Sequence, residues 1–259
     1  MEIILLAILS LAIGFFASIL GIGGGVILTP TLILLGMETH IAISVSLGGV
    51  VLTSLVSSVE YLRQRLTDLK LALMMAAVSM PSAMAGAYIS VDTPGAVLEK
   101  MLGLFLLAIA GLMLADIKVR MMDRVLSLER KLEAKDGTGY SYHAHLLFLL
   151  PMAMAAGFSA GLFGIGGGVM LAPALLLSGI PSPVAVATSS LMVNISADTS
   201  FLTYLARSEF DLSYLLPIAP ALMIGAYAGA RVSKRIKPQH TKGLLAGLLI
   251  ILSAMLLLR

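Results

Sequence analysis

Two short glycine-rich segments carry the chemistry that this sequence suggests. Each contains four glycines in five positions, at 21–25 and at 164–168, and each lies within apolar sequence. Glycine disfavours a helix by roughly 0.8–1 kcal/mol per residue relative to alanine, so both segments should interrupt a helix. The helix that starts after such an interruption presents unpaired N–H groups and the positive end of its dipole. These groups are suited to binding a small anion.

The candidate anion-binding residues are the glycine segments, the residues that follow them, and nearby polar side chains. Hydroxyl and amide groups can donate hydrogen bonds to the oxygen atoms of an anion. The set is Gly21, Gly23, Gly24, Gly25, Val26, Ser44, Ser46, Gly164, Gly166, Gly167, Gly168, Val169, Thr188, Ser189, Ser190 and Asn194. For each hydroxyl, the alternative is a hydrogen bond to a carbonyl group of its own helix. We expect no catalytic residue, no cofactor and no metal site.

Asp198 is the most conspicuous ionisable residue of the apolar segments. It follows Ser190 and Asn194 at four-residue steps, which places the three side chains on one face of a helix. Ionisable residues inside membrane spans are rare and are functional by default. Asp198 is therefore a candidate for carrying a proton coupled to anion movement. The alternative is a protonated or hydrogen-bonded structural aspartate.

The composition indicates an integral membrane protein. Hydrophobic residues make up 59% of the chain and charged residues 12%, whereas soluble domains contain about 25% charged residues. The net charge of +3 does not indicate nucleic-acid binding, because the excess Lys and Arg lie between apolar segments. The absence of cysteine excludes a disulfide framework and a thiolate metal site. The N-terminus lacks the positive region of a signal peptide, so we take the whole chain as mature.

The chain contains an internal repeat with an offset of 143 residues. Segment 21–30 aligns with 164–173, with eight of ten positions identical, and about seventy residues align without a gap. The same offset relates Ser46 to Ser189, Tyr61 to Tyr204 and Asp68 to Asp211. Such a long match indicates a tandem structural repeat. We place the two membrane halves at 1–116 and 143–259, joined by a polar cytoplasmic linker at 117–142.

Each half is predicted to contain one glycine-broken segment and three membrane-spanning helices. The broken segments are expected at about 3–36 and 144–179. The spans are placed near 40–62, 69–90, 96–117, 183–206, 212–231 and 241–258. An amphipathic helix lying on the membrane is predicted for part of the linker. Its apolar residues are Met121, Met122, Val125, Leu126, Leu128 and Leu132.

The distribution of positive charge predicts that the two halves have opposite orientations. If segments 61–70, 116–142 and 231–242 are cytoplasmic, fourteen of the 17 Lys and Arg residues lie inside, as membrane proteins prefer. Both termini are then outside. Inversion requires an odd number of crossings in each half, so each broken segment should be a re-entrant hairpin. Residues 26–36 would cover about 16 Å, roughly half of the bilayer core. The alternative is one tilted span followed by an interfacial segment.

The doubled pattern GxGGGxxxxP, followed about ten residues later by Ala-x-x-x-Ser, resembles the sulfite exporter TauE/SafE family, also called the 4-toluene sulfonate uptake permease family. The matching positions are Gly21, Gly23, Gly24, Gly25, Pro30, Gly164, Gly166, Gly167, Gly168 and Pro173. Segment 184–190 resembles the Ala-x-x-Thr-Ser segment of that family. The first half departs from it, with Val45-Ser46 where Thr-Ser is usual, which leaves an equal role for the two halves open. The resemblance implies transport of sulfite, sulfonates and related anions.

We therefore predict an all-α polytopic membrane protein of two inverted-topology repeats. Its expected function is secondary transport of a small sulfur-containing anion, bound at the midplane by the half-helix N-termini, and not enzymatic catalysis. The expected location is the inner membrane of a bacterial or archaeal cell. The expected partners are the anion and membrane lipid, without nucleic acid, and a homo-oligomer is left open. The alternative function is a membrane-embedded scaffold or partner-binding subunit, with glycines that serve helix packing.

Overall fold

A computed structural model describes residues 2–114, 127–207, 210–233 and 238–258, with side chains described at 8–114, 127–207, 210–233 and 246–258. The described part is mainly helical and contains one two-stranded sheet. The elements are α1 (Glu2–Leu20), α2 (Gly25–Leu34), α3 (Thr39–Arg63), α4 (Leu69–Asp92), α5 (Gly95–Leu114), β1 (Ser127–Glu133), β2 (Gly139–His145), α6 (Leu146–Phe163), α7 (Gly168–Leu177), α8 (Ser182–Arg207), α9 (Leu212–Leu215), α10 (Ala219–Val232) and α11 (Pro238–Leu257).

Four of the described helices are long and apolar enough to cross a membrane, namely α3, α4, α5 and α6. The predicted span at 212–231 consists of two helices, α9 and α10, with a turn at 216–218. Proline explains this interruption: Pro217 and Pro220 lack the N–H group that a continuous helix needs. The glycine segments interrupt the chain between α1 and α2 and between α6 and α7.

Helices α3 and α8 are equivalent in the repeat, and they pack against each other in opposite directions. The end of α3 meets the start of α8, where Tyr61 and Val186 share one apolar cluster. Further along, the Asn194 amide lies 3.4 Å from the Val51 carbonyl oxygen, and Gly48 near the start of α3 faces Phe201 near the end of α8. Helices α3 and α8 are therefore antiparallel along their shared interface.

The α1–α2 segment turns back on itself. Helix α2 runs antiparallel to α3. Leu28 of α2 packs on Gly49 of α3. Gly23, which precedes α2, instead accepts a hydrogen bond from Thr53, which lies one turn further along α3. Helix α1 runs parallel to α10, where Leu11 meets Gly225 and Phe15 meets Gly229. In turn, α10 runs parallel to α3, as shown by the contacts of Leu222 with Gly49 and Ala230 with Gln64. Helices α1 and α3 thus share one direction, and α2 returns between them.

Close packing between the halves uses glycines on two helix pairs, α4 with α6 and α1 with α10. A Cβ atom on Gly157 or Gly161 of α6 would overlap a carbonyl oxygen of α4. Gly225 and Gly229 of α10 are in the same position against α1. These glycines let two backbones approach each other, as small residues commonly do in membrane helix pairs.

The linker forms a β-hairpin in its described part, so the prediction of an amphipathic helix was wrong for Leu128 and Leu132, which lie in β1. The fold is consequently not all-α. From 128 to 133, part-buried and exposed residues alternate with the period of a strand, and Asp136-Gly137 forms the turn. The strands pair antiparallel from Ser127 opposite His145 to Glu133 opposite Gly139. Met121, Met122, Val125 and Leu126 lie outside the described residues.

Candidate functional site

Both glycine segments form left-handed turns that separate a longer helix from a short one. Within the two segments, φ lies between 68° and 88° at Gly21, Gly23, Gly24, Gly164, Gly166 and Gly167. A side chain is strained at these backbone angles, so glycine is the residue that fits them. The short helices α2 and α7 begin directly after the turns, at Gly25 and Gly168.

The two turns contact each other in the protein interior. Gly25 lies against the carbonyl group of Gly164, and Gly168 lies against the carbonyl group of Gly21, its repeat equivalent. A Cβ atom on Gly168 would lie 2.7 Å from the Gly21 oxygen, and one on Gly25 would overlap the Gly164 oxygen. The turn contact therefore requires glycine on both sides.

Val50 of α3 and Val193 of α8 pack against both turns. The two valines are repeat equivalents, and neither is exposed. A Cβ atom on Gly23 would meet both valine side chains, and so would one on Gly166. Together the valines form an apolar layer between the turns and the α3–α8 interface.

Ser46 and Ser189 each donate a hydrogen bond to the turn of the opposite half. Ser46 Oγ lies 3.1 Å from the Gly164 oxygen, and Ser189 Oγ lies 2.8 Å from the Gly21 oxygen. Thr29 adds a second bond to the Gly164 oxygen at 3.2 Å. In this structure the two serines therefore hold the turns together. Ser44 bonds within its own helix, to the Ile41 oxygen at 2.9 Å, which is the structural alternative for a hydroxyl.

Helices α2 and α7 point their N-termini at the place where the turns meet. Within the described residues, the first two N–H groups of each helix donate to no acceptor; they belong to Gly25, Val26, Gly168 and Val169. Val26 and Val169 are buried, so bulk water does not replace the missing partners. A buried donor without a partner costs about 1–3 kcal/mol. The arrangement therefore favours an acceptor that carries negative charge.

The polar residues of α8 have different environments. Thr188 Oγ1 accepts a hydrogen bond from the Asp68 N–H group at 3.1 Å. Asn194 Nδ2 donates to Ser54 Oγ at 3.3 Å. Ser190 is 2% exposed, and its hydroxyl has no partner in the part of the chain that the structure describes.

Helix α3 contributes two polar residues that the sequence analysis missed, Ser54 and Ser58. Ser58 follows Ser54 by one helical turn, and its hydroxyl is buried with no hydrogen-bond partner among the described residues. Helices α3 and α8 are antiparallel, so the C-terminal end of α3 lies beside the N-terminal end of α8. Ser58 therefore lies beyond Ser54 toward the same end of the interface as Ser190 lies beyond Asn194. We call Ser54, Ser58, Ser190 and Asn194 the polar strip. The four-residue spacing of Ser54 and Ser58 was the available sequence signal.

The polar strip begins at the level of the turn contact, where Asn194 follows Val193. Its other members, Ser54, Ser58 and Ser190, lie toward the end of the interface where α3 finishes and α8 begins. The repeat equivalents of its four members are the apolar residues Ala197, Phe201, Leu47 and Val51. The two ends of the α3–α8 interface therefore differ in chemistry although the backbones correspond.

Asp198 lies outside the polar strip, one helical turn beyond Asn194 toward the end of α8. The residue is half-buried. Within the described residues its carboxylate makes no hydrogen bond and no ion pair.

The family model for the sulfite exporter TauE/SafE matches residues 6–256 of this chain. The probable membrane transporter protein YunE of Bacillus subtilis is 27% identical over 267 residues, covering 99% of this chain and 98% of the relative. The probable membrane transporter protein MJ0441 of Methanocaldococcus jannaschii is 27% identical over 270 residues, covering 98% and 95%.

Part of the chain is also similar to a plant protein. Sulfite exporter TauE/SafE family protein 6 of Arabidopsis thaliana is 40% identical over 77 residues, which cover 30% of this chain and 18% of the relative. No solved structure matches this chain. The family model extends over both glycine turns and nearly all residues of the helices around them, which confirms the resemblance seen in the sequence. This chain belongs to the sulfite exporter TauE/SafE family.

Proposed function

We propose that this chain is a secondary transporter that moves a small sulfur-containing oxyanion, such as sulfite or a sulfonate, across the cell membrane. Family membership supports a membrane transporter, and several relatives are named as sulfite exporter TauE/SafE family proteins. The observation that carries the proposal is the meeting of two buried helix N-termini with unpaired N–H groups. Such a pair of half-helices matches the anion sites of broken-helix transporters.

The halves act as inverted repeats in the membrane. Antiparallel packing of α3 and α8 supports this arrangement. The return of α2 alongside α3 supports a re-entrant hairpin, because the chain leaves the turn toward the side from which α1 came. Helices α3, α4 and α5 of the first half then cross the bilayer, as do α8, the α9–α10 pair and α11 of the second half. Helix α6 is the first arm of the second hairpin. The loops rich in Lys and Arg lie in the cytoplasm, and both termini lie outside.

The anion passes between the two turns and along the α3–α8 interface. Ser46 and Ser189 now bond to turn carbonyl groups, and the turns touch. Separation of the α1–α2 hairpin from the α6–α7 hairpin frees these hydroxyls and lets the anion reach the unpaired half-helix N–H groups. The polar strip and Thr188 supply further donors toward one side. Neutral donors hold an anion less tightly than Lys or Arg would, which favours release.

Reconstitution into liposomes tests this function directly. The purified chain is expected to give saturable flux of sulfite, thiosulfate or a small sulfonate. A carboxylate of similar size serves as the comparison and is expected to move more slowly. Inserted, monodisperse protein that moves none of these anions would contradict the proposal and favour the scaffold function.

Replacement of Asp198 by asparagine tests proton coupling. If Asp198 carries the coupled proton, anion flux in the D198N variant should lose its acceleration by a pH gradient while flux without a gradient persists. The measurement is liposome flux with and without an imposed gradient. Asp92→Asn, which changes an exposed carboxylate paired with Arg207, is the control and should keep the acceleration. Unchanged gradient dependence in D198N excludes this role.

A further inference from the structure

The β-hairpin at 127–145 is docked onto the end of the α3–α8 interface that contains the polar strip. Ala134, which directly follows β1, packs in one buried cluster with Tyr61 of α3, Val186 of α8 and Ala230 of α10. The Lys135 N–H group donates a hydrogen bond to the Gln64 oxygen at 3.0 Å. The hairpin therefore covers the point where three helix ends converge.

A buried carboxylate fastens the hairpin. Arg130 of β1 holds Asp68 with two hydrogen bonds, Nε to Oδ2 at 2.8 Å and Nη2 to Oδ1 at 2.6 Å. The Tyr142 hydroxyl of β2 donates to Oδ2 at 2.6 Å, and the Leu71 N–H group donates to Oδ1 at 3.1 Å. Asp68 is 1% exposed. A two-pronged guanidinium–carboxylate contact of this kind is both strong and directional.

The protonation state of Asp68 keeps this contact formed at neutral pH. Burial by itself would raise the pKa of the Asp68 carboxyl, but the hydrogen bonds from Arg130, Tyr142 and Leu71, with the charge of Arg130, outweigh burial and lower that pKa. A lowered pKa means that the contact has its full strength above the ordinary pKa of aspartate. It weakens only as the pH falls through the lowered value, so release near neutral pH requires a conformational change.

Asp68 also connects the hairpin to the turn contact. Its N–H group donates to Thr188 Oγ1 at 3.1 Å. The next residue, Ser189, donates to the Gly21 oxygen of the first turn. Direct contacts therefore connect the hairpin to the α3–α4 loop, that loop to α8, and α8 to the first glycine turn.

The equivalent position in the second half shows that the fold itself does not require the contact of Asp68 with Arg130 and Tyr142. Asp211, the equivalent of Asp68, is exposed and caps the Ser213 N–H group at 2.8 Å. In the described part of the second half, no arginine contacts it. The buried contact is therefore an addition to one end of a two-fold repeated structure.

We propose that the hairpin is a gate over one end of the transport path, and that Asp68, Arg130 and Tyr142 form its latch. Asp68 acts as a positioning residue for Thr188. The gate must open for an anion to reach the polar strip from that side. The inference rests on the proposed transport function, since a gate needs a path to close.

Thiol labelling of a reporter cysteine tests the latch without any transport assay. The chain has no cysteine, so Val186→Cys places a single thiol beneath the hairpin. In detergent-solubilised protein, Asp68→Asn or Arg130→Gln should accelerate its reaction with a maleimide at least tenfold, and Tyr142→Phe should accelerate it less. Arg130→Lys, which keeps the charge but loses the two-pronged geometry, should fall between. Asp211→Asn is the matched control and should leave the rate unchanged.

A second reporter separates gate opening from unfolding. Ala110→Cys places a thiol at a fully buried position of α5, and it should stay unreactive in the latch variants. If the thiol of Val186→Cys in the latch variants reacts with the maleimide at a rate within twofold of that in protein with an intact latch, the proposal is overturned. Equal acceleration at both reporters overturns it as well, because the variants would then be unfolded.

Locking the hairpin tests the gate in transport. A disulfide between Gln64→Cys and Lys135→Cys should reduce flux at least tenfold, and a reductant should restore it. The control disulfide joins Lys131→Cys and Ser141→Cys, which pair within the hairpin, and should leave flux unchanged. Full flux through the locked protein refutes the gate. If the unmodified protein moves no anion, the transport function fails, whereas the labelling rates still decide the latch.

Discussion

Replacing Gly25 with alanine is expected to reduce anion flux about 10- to 100-fold and to lower the free energy of unfolding, because overpacking a filled interior costs about 1–3 kcal/mol. The added methyl group would overlap the Gly164 carbonyl oxygen and approach the Val50 side chain to 2.7 Å. A backbone carbonyl cannot rotate away as a side chain can. Gly25 is not among the glycines with positive φ, so the effect would measure the turn contact and not backbone strain.

The control for this substitution is Gly111→Ala in α5. No atom lies within 4 Å of a Cβ built at Gly111, and alanine favours a helix by about 1 kcal/mol over glycine. Gly111→Ala should therefore keep flux and raise stability slightly. The measurements are liposome flux and denaturation of the purified variants. Wild-type behaviour of Gly25→Ala would show that the two turns do not need to approach each other during transport.

Gly168→Ala extends the same experiment to the second half. Its methyl group would meet the Gly21 oxygen at 2.7 Å and the Ile22 Cα atom at 2.6 Å. Because the contacts are reciprocal, its effect should match that of Gly25→Ala within a few-fold. A large effect in one half alone would mean that the turns are equivalent in structure but not in function.

The internal repeat was predictable from the sequence, because identical residues recur at one offset and the equivalent residues make reciprocal contacts. Ser46 and Ser189 are 143 positions apart, and each bonds to the turn of the other half. The helix breaks were predictable for a related reason. Four clustered glycines have a strong local effect that tertiary packing does not override.

The hairpin and its latch were not predicted. The alternation around Leu128 and Leu132 and the Asp136-Gly137 turn were visible, but the apolar residues also fitted a helix on the membrane. The bond from Arg130 to Asp68 joins residues 62 positions apart. Pairings at such separation depend on how the helices assemble, so spacing along the chain gives no signal. Ser58 was missed because its lack of a partner appears only once its neighbours are placed.

Replacing Asn194 with aspartate should be the most damaging change to anion binding that keeps the size of the side chain. Asn194 Nδ2 now donates to Ser54 in the polar strip. An aspartate would put a negative charge where the proposed path carries an anion. Two like charges about 4 Å apart repel each other by about 4 kcal/mol at an effective dielectric constant near 20. The KM for the anion should therefore rise at least about 100-fold, where each 1.4 kcal/mol corresponds to tenfold.

Two controls distinguish the effect of the added charge from the effect of losing the Asn194 amide. They are a lower assay pH and the neutral substitution Asn194→Ala. Lowering the assay pH should protonate the introduced carboxylate of the N194D variant and recover part of the affinity, whereas the wild-type asparagine does not titrate. Asn194→Ala removes the amide without adding charge, so its KM should rise by a smaller factor that does not depend on pH. Both constants come from initial flux rates over a range of anion concentrations. A fixed negative charge within the path must oppose an anion. If N194D has the same KM as the wild-type protein, the anion path therefore does not include the polar strip.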